Sequence, residues 1–386
     1  MKNSFVMFFI IVFSVYAIGN LYLFVRGWQS LEIMGQQRVW FTLIFWMLSI
    51  LFIVFSILGM QNVSGRLFNI LYTTGSCWIA VMLYGFLILS AIDILRIAGW
   101  AGNIRPDFIY RNYPLTKAIM FGAFCLVISI ILAIGNSNAN RLRITRLKIS
   151  LDKKAEQLTG LRVVMASDFH LGHIYGRRSL ARIIDEMNKQ KPDIVLLAGD
   201  VFDSSPEPVI KRNVGVEFER LQTKYGVYLS TGNHEYIGER TMRNAKGTIS
   251  AYLSSHGLQP LLDSVVLVDN SFYVAGRKDR SAGTRKTVPE LLQYLDRKLP
   301  VIMLDHQPYH LDEAEQAGVD LFLSGHTHHG QMWPLNYITR KLFEKDWGFL
   351  QKGKSFFYVS CGVGTWGPPI RTAGYSEIVV IDLIFN

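Results

Sequence analysis

Cysteine is nearly absent from this chain. Its 386 residues include three, Cys77, Cys125 and Cys361. Two of them lie inside long apolar runs, and none has the close spacing of a disulfide framework or a thiolate metal site. Both a disulfide-stapled fold and a cysteine-held zinc site are therefore disfavoured. Histidine is missing from the first 169 residues, and all nine lie at or beyond position 170. The chain also lacks a basic patch interleaved with aromatics, so its net charge of +10 gives no reason to expect nucleic acid. Many of those positives flank apolar runs, where anionic lipid headgroups account for them.

What the chain has in excess is apolar sequence. Hydrophobic residues make up 50% and the mean hydropathy is +0.21, but the excess is concentrated before Asn136. The length suits two domains, or one domain plus a membrane region. Four stretches reach the roughly 20 residues that a bilayer span needs. They are SFVMFFIIVFSVYAIGNLYLFV from Ser4, VWFTLIFWMLSILFIVFSILGM from Val39, ILYTTGSCWIAVMLYGFLILSAIDIL from Ile70 and AIMFGAFCLVISIILAIG from Ala118. The first is too long for a signal-peptide core, lacks a small-x-small cleavage site and is followed by further spans. Residues 1–136 therefore read as an uncleaved, all-α transmembrane region of four helices in a multi-pass protein of the cell membrane. Tyr and Trp fall near several span ends, as interfacial anchors do.

Four spans leave both termini on one side. That side carries Lys2, Arg66, Arg141, Arg143, Arg146 and Lys148; the other carries Arg26, Arg38, Arg96, Arg105, Arg111 and Lys117. This near balance selects neither orientation. Asp93 sits near the end of the third span with Arg96 one turn later, and is expected to pair or to snorkel toward the interface.

From Asn136 onward the chain reads as a soluble α/β protein. Residues 137–158 form a juxtamembrane connector and first strand region, in which RITRLKISLDKK alternates partly like a strand. A domain over 159–386 follows. LRVVMASD, PDIVLLAGD, GVYLSTGNHE, FYVAG, VIMLDHQP, VDLFLSGHTHHG, FFYVS and SEIVVIDLIF are short apolar runs of strand type. SLARIIDEMNKQ reads as a helix, and VGVEFERLQ is also assigned as one. Runs of this kind alternating with helical segments predict a layered α/β architecture. Several of the strands run straight into Asp, His or Asn, and open α/β sheets bind ligands at the carboxyl ends of their strands.

Five histidines occupy such strand ends: His170, His234, His306, His326 and His328. Asp168, Asp200 and Asn233 accompany them. This nitrogen and oxygen donor set suits divalent Mn, Zn or Fe. Seven candidates, Asp168, His170, Asp200, Asn233, His306, His326 and His328, are too many for one tetrahedral centre. Sharing Asp200 as a bridge divides them into two centres of four ligands each. Two ions about 3.5–4 Å apart form the clamp used to displace a phosphate ester. A single-metal hydrolase would leave several of these histidines without a role. An oxygenase would show a compact two-His-one-carboxylate triad. A noncatalytic membrane receptor or scaffold with a metal-binding domain of this kind is the alternative of another class, and it predicts gaps in the ligand set.

DFH (168–170), GDVFD (199–203), GNHE (232–235), DHQP (305–308) and GHTHHG (325–330) together resemble the calcineurin-like metallophosphoesterases. All five blocks of that superfamily occur in its order. ASDFHLG and the late GTWGPPIR look most like its bacterial membrane-associated branch. The resemblance covers roughly 150–386 and implies a four-layer αββα sandwich of two mixed sheets. It implies a membrane-anchored binuclear hydrolase of a phosphate ester or pyrophosphate, with lipid and cell-envelope substrates among those that a membrane anchor favours. By the family roles, Asp168, His170 and His328 hold one ion, Asn233, His306 and His326 hold the other, and Asp200 bridges. A metal-bound hydroxide then attacks phosphorus in line. His234 contacts the phosphate and serves the leaving oxygen, and Glu235 orients His234. Gly199, Gly232 and Gly325 are expected to allow tight turns beside the ions. His173 is close enough to reach substrate, and His329 is expected behind the ligands or facing solvent. His256 and His310 read as surface or support residues. Arg371 is expected to meet a phosphate or to support the last loop.

Overall fold

The structure is a computed structural model describing all residues except 1, 61–62, 64, 105 and 242–246. Arg105, counted above for orientation, lies outside the described residues. The chain forms two compact units, Met1–Ile57 with Arg66–Ile134, and Leu58–Gly65 with Gly135–Asn386.

The first unit is built from long helices at Lys2–Ser30, Gly35–Met60, Arg66–Ala101 and Tyr113–Asn140, the last residues of the second and fourth falling in the other unit. All four are long and apolar enough to cross a membrane, which makes this a multi-pass membrane protein. Their outward faces carry exposed Leu43, Ile94, Leu95 and Ile119, the side chains that a hydrocarbon solvent accepts. Polar groups turn inward and pair, as they must without water. The Trp78 indole N–H donates to Asn20 Oδ1 at 2.9 Å, and Tyr16 donates to the Ser49 carbonyl at 2.7 Å. Asp93 pairs rather than snorkels. It accepts from the Tyr22 hydroxyl at 2.7 Å and from Arg26, with Arg96 at 3.6 Å.

The second unit holds twelve strands: β1 (Arg143–Leu151), β2 (Gly160–Ala166), β3 (Ile194–Ala198), β4 (Val227–Ser230), β5 (Leu258–Pro260), β6 (Ser264–Val268), β7 (Phe272–Gly276), β8 (Val301–Leu304), β9 (Leu321–Ser324), β10 (Gly348–Lys352), β11 (Ser355–Val359) and β12 (Glu377–Phe385). They form two mixed six-stranded sheets, ordered β1-β12-β2-β3-β4-β5 and β10-β11-β9-β8-β7-β6.

Side-chain alternation along the strands makes the layers. In the first sheet Val163, Met165, Ile194 and Leu196 point into a core shared with Ile302, Leu304, Leu321 and Leu323 of the second sheet. The intervening Val164, Ala166, Val195 and Leu197 point to an outer helical layer. Val301, Met303 and Phe322 do the same on the far side, under Leu291, Leu292 and Leu311. Strands covered on both faces read as unbroken apolar runs, which is why LRVVMA and IVLLA show no polar alternation. The helix Arg177–Lys189 covers the first sheet with Leu180, Ile183, Ile184 and Met187, spaced for one helical face. Each such side chain contributes about 1.5–3 kcal/mol by leaving water. The result is the four-layer αββα sandwich.

Three local expectations needed revision. VGVEFERLQ forms a tight 3-10 turn at Val214–Arg220 instead of an α-helix. It is entered from Asn213 at φ 47° and carries Gly215, an unfavourable residue in a helix. The connector RITRLKISL is a full strand, held by a nine-residue parallel register with β12. β5, β6 and β10 were not anticipated; β6 pairs antiparallel with β7 across Asp269 and Asn270, at φ 51° and 52°. Two adjacent residues in that conformation make the turn that tight hairpins favour.

Candidate metal centre

The loops leaving β2, β3 and β4 in one sheet, and β8 and β9 in the other, meet at the carboxyl edge of the sandwich. Asp168 and His170 follow β2, Asp200 follows β3, and Asn233 and His234 follow β4. His306 follows β8, and His326 and His328 follow β9. Short strands ending together bring side chains 158 positions apart to within 3.0 Å, the separation of His170 Nε2 from His328 Nε2.

The turns are strained. Asp168, His170, Asp200, His326 and His328 all have positive φ, between 46° and 72°. Each costs on the order of 1–3 kcal/mol and persists only where the surroundings over-determine it. Here the backbone does so: the Asp168 N–H donates to the Gly199 carbonyl at 3.0 Å, His170 N–H to Asp200 at 3.1 Å, and Gly325 N–H to His306 at 2.9 Å.

Two glycines give the carboxylates their room. A Cβ on Gly232 would stand 2.1 Å from Asp200 Oδ1, and one on Gly325 would stand 2.3 Å from Asp168 Oδ2. Gly325→Ala is expected to displace Asp168, cost about 1–3 kcal/mol of stability by overpacking, and lower bound metal. Thermal melting and elemental analysis of the purified variant check both effects.

The donors gather in two groups, Asp168 with His170 and His328, and Asp200 with His306 and His326; within each, the ligand atoms lie within 4.8 Å of one another. Asp200 Oδ2 faces both groups, 3.1 Å from His306 Nε2 and 4.0 Å from His170 Nε2. Three buried atoms of these donors have no hydrogen-bond partner, His170 Nδ1, Asn233 Oδ1 and His306 Nε2. Such orphans are costly unless they serve a ligand. The Nδ1–H of His306 donates to the Ala198 carbonyl at 2.7 Å, which leaves the Nε2 lone pair free to bind a cation. These donors fit a pair of divalent ions.

The electrostatics agree. Burial, with help from neighbouring His234, pushes His170 down to about 3. Burial and His306 push His326 down to about 4. Both imidazoles are therefore neutral, the form that binds metal. Asp168 is pushed up to about 6 by burial, against the pull of His306. Burial also opposes charge on His306, but Asp200 and Asp168 outweigh it and hold its proton well above the ordinary range. Without metal, that proton supplies the positive charge the carboxylates require.

His234 belongs to neither of these groups but forms a third with Asp203 and His170. Its Nδ1 lies 3.2 Å from Asp203 Oδ1 and 3.1 Å from the Ser204 hydroxyl, and its ring meets that of His170 at 4.6 Å. Burial works against its charge, yet Asp200 and Asp203 raise it to about 9. Asp203 in turn falls to about 2: burial would raise it, but the His234 contact prevails. The orienting carboxylate is thus Asp203, the last residue of GDVFD, which sequence reasoning passed over. Glu235 does something else. Its carboxylate accepts from the backbone N–H of Asp200 at 3.0 Å, Phe202 at 2.9 Å and Gly232 at 2.6 Å. It thereby staples the Asp200 loop to the loop after β4.

The remaining candidates have supporting positions. His329 is buried behind the donor groups, 2.8 Å from Asp346 and packed on Trp347. Arg371 is fully buried. Its Nη2 donates to the carbonyls of Cys361, Gly362 and Gly364 and lies 3.3 Å from His328 Nδ1, so it supports the last loop behind His328. His173 is buried beside Asp203, and burial lowers its pKa. His256 is buried too, paired with Glu219 at 2.6 Å, while His310 is exposed.

A sandwich of two mixed sheets with this donor set at its carboxyl edge defines a metal-dependent hydrolase class. The calcineurin-like phosphoesterase family matches residues 161–330. A transmembrane protein with metallophosphoesterase domain from Danio rerio is 30% identical over 303 residues, covering 73% of this chain and 68% of the relative. A metallophosphoesterase from Campylobacter jejuni is 28% identical over 385 residues, 98% of each chain. Another, from Aquifex aeolicus, is 32% identical over 251 residues, covering 63% of this chain and 92% of that one. The chain belongs to the calcineurin-like phosphoesterase family, as a metal-dependent phosphoesterase carried on a membrane region. Bacterial and vertebrate relatives share this fusion, so it is not confined to a bacterial branch.

Proposed function

We propose that the centre holds two divalent ions and hydrolyses a phosphate ester or pyrophosphate that reaches it at the membrane. Asp168, His170 and His328 would hold one ion, Asn233, His306 and His326 the other, with Asp200 between them. The observation that carries this reading is the position of Asp200 Oδ2, which faces both donor groups from a fully enclosed carboxylate. Bound there, Mn, Zn or Fe ions would activate a water nucleophile and neutralise charge on the transferred phosphoryl group.

The chain's own residues supply the rest. His234, kept protonated by Asp203, stands beside the first donor group and can donate to the leaving oxygen. Asn233 Oδ1 has no hydrogen-bond partner, and His306 Nε2, 3.1 Å from Asp200 Oδ2, would exchange its proton for a cation. Strained turns and the Glu235 staple hold the ligands in place before any substrate arrives, which is the preorganisation that electrostatic catalysis requires. The four spans favour substrates with a lipid or lipid-linked phosphate. ASDFHLG and GTWGPPIR support a place with the bacterial membrane-associated members.

The test is a substrate panel on the full chain, metal-depleted and then reconstituted separately with Mn, Zn or Fe. Phospholipids and lipid-linked pyrophosphates are set beside generic mono- and diesters. Turnover that appears with metal and is greatest on a lipid phosphate is the expected result. Equal turnover with and without chelator would overturn the catalytic reading. Preference for soluble esters would overturn the lipid part alone.

A further inference from the structure

We infer that the face formed by Trp333, the helix Asn336–Leu342 and the loop bearing Trp366 is a docking surface for an anionic phospholipid bilayer. This part of the second unit carries large apolar side chains that the sandwich leaves uncovered. Leu342 is 64% exposed, Trp366 58%, Tyr337 and Ile338 55%, and Trp333 48%. The exposure is built in. Buried Gln331 clamps the two tryptophan segments together, its Nε2 donating to the carbonyls of Trp366 and Pro368 at 2.8 and 3.1 Å. Its Oε1 accepts from the Trp366 N–H at 2.8 Å. The Trp333 N–H donates to Thr372 Oγ1 at 2.9 Å. The two tryptophan segments are thus fixed to one another through Gln331 and Thr372.

Charge and position identify the occupant. Exposed Arg340 and Lys341 lie on the same short helix, and no Asp or Glu occurs between Asp320 and Glu344, or between Asp346 and Glu377. Exposed tryptophan, tyrosine and aliphatic side chains beside arginine and lysine, without acids, are what the headgroup region of a bilayer accepts. The Trp366 loop is also fastened to Gly135–Asn140, the end of a helix long and apolar enough to span a membrane. Arg371 N–H donates to the Gly135 carbonyl at 2.9 Å, and Asn136 Nδ2 donates to that of Pro369 at 3.0 Å. The platform is thus continuous in the second unit with the last residues of that helix. The platform also adjoins the metal centre, because Phe343, just past the helix, packs on His326 at 6.1 Å and on Tyr309 at 4.8 Å.

The test uses the full chain in phosphatidylglycerol-containing vesicles, with Cys77→Ala and Cys125→Ala to leave only the buried Cys361. An environment-sensitive fluorophore is attached at Leu342→Cys or, outside the patch, at Tyr294→Cys, an 89% exposed control. Headgroup spin-labelled lipid is expected to quench the Leu342 probe several-fold more than the Tyr294 probe, and Arg340→Glu with Lys341→Glu should reduce the difference. Equal quenching at both positions would overturn the proposal. So would a Leu342 probe shielded from water yet untouched by the quencher, which would mean a second copy of the chain. Unchanged melting of the labelled proteins shows that they are folded, and neither readout requires turnover.

Discussion

Replacing Asp200 by asparagine is expected to lower kcat/KM by about 10³-fold or more, roughly 4 kcal/mol of transition-state stabilisation. Asparagine keeps the shape of the side chain but removes its charge and weakens its hold on two cations at once. The surrounding donors cannot compensate. Asp168 is the other carboxylate among the donors, and its Oδ1 lies 4.0 Å from His306 Nε2. Metal content should fall with activity, most steeply for the ion assigned to His306. His306→Ala should do the same by another route. It deletes the Nε2 lone pair and the bond to Ala198, leaving the Asn233 side alone to hold the second ion with His326. The metal-free protein offers a further check on Asp200. Burial opposes ionisation of Asp200, but His306 and His234 hold it well below the ordinary carboxylate range. A group depressed in this way stabilises the fold above its unfolded pKa, and that stability is lost as pH falls through the folded value. Asp200→Asn should therefore flatten the acid side of the metal-free stability curve. Full turnover and full metal content in both variants would remove the basis of the two-ion assignment.

His234→Ala is expected to keep both ions and lose about 10²–10³ in kcat, the range typical of a general acid. The loss should be greatest for alkyl esters, whose leaving oxygen needs a proton, and least for nitrophenyl esters. The pH profile gives the sign. A histidine held up to about 9 is protonated below that pH, so an acid role predicts activity that falls as pH rises through the group's pKa. Asp200 is the largest contribution raising that pKa, and bound cations would take up its charge. Asp203, 3.2 Å away, is then the main support for the proton. Asp203→Asn should move the alkaline fall to lower pH without changing metal content. Steady-state kinetics across pH on both variants separate this from a ligand role, since loss of metal from His234→Ala would show that the histidine had been misassigned.

Much of the centre was legible because its residues announce themselves by context. Each candidate ligand stands at or just past the end of an apolar run, and such a run in an α/β chain is a strand whose carboxyl end faces the site. The layering was legible for the same reason, since LRVVMA, IVLLA and VIML are apolar on both faces and must be covered on both; the four-layer arrangement came from the family resemblance. What escaped were features set by contacts between loops. GDVFD names Asp203, but only the folded loop shows that its carboxylate meets His234 Nδ1. Glu235 is adjacent in sequence to His234 and so seemed its partner; the turn after β4 points it at three backbone N–H groups instead. Arg371 follows two prolines on what reads as an open loop, yet the guanidinium is enclosed by the carbonyls of 361, 362 and 364. The short turn at Val214–Arg220 was misread because its apolar spacing is helical while its glycine and left-handed entry are not.

In the proposed centre Asp200 joins two donor groups into one binuclear site. Electron paramagnetic resonance of the manganese-reconstituted full chain, read with its metal stoichiometry, tests it most directly. Two manganese ions per chain giving an exchange-coupled spectrum, replaced by an uncoupled single-ion spectrum in Asp200→Asn, is the result this account predicts. One uncoupled ion per native chain at saturating metal would contradict it.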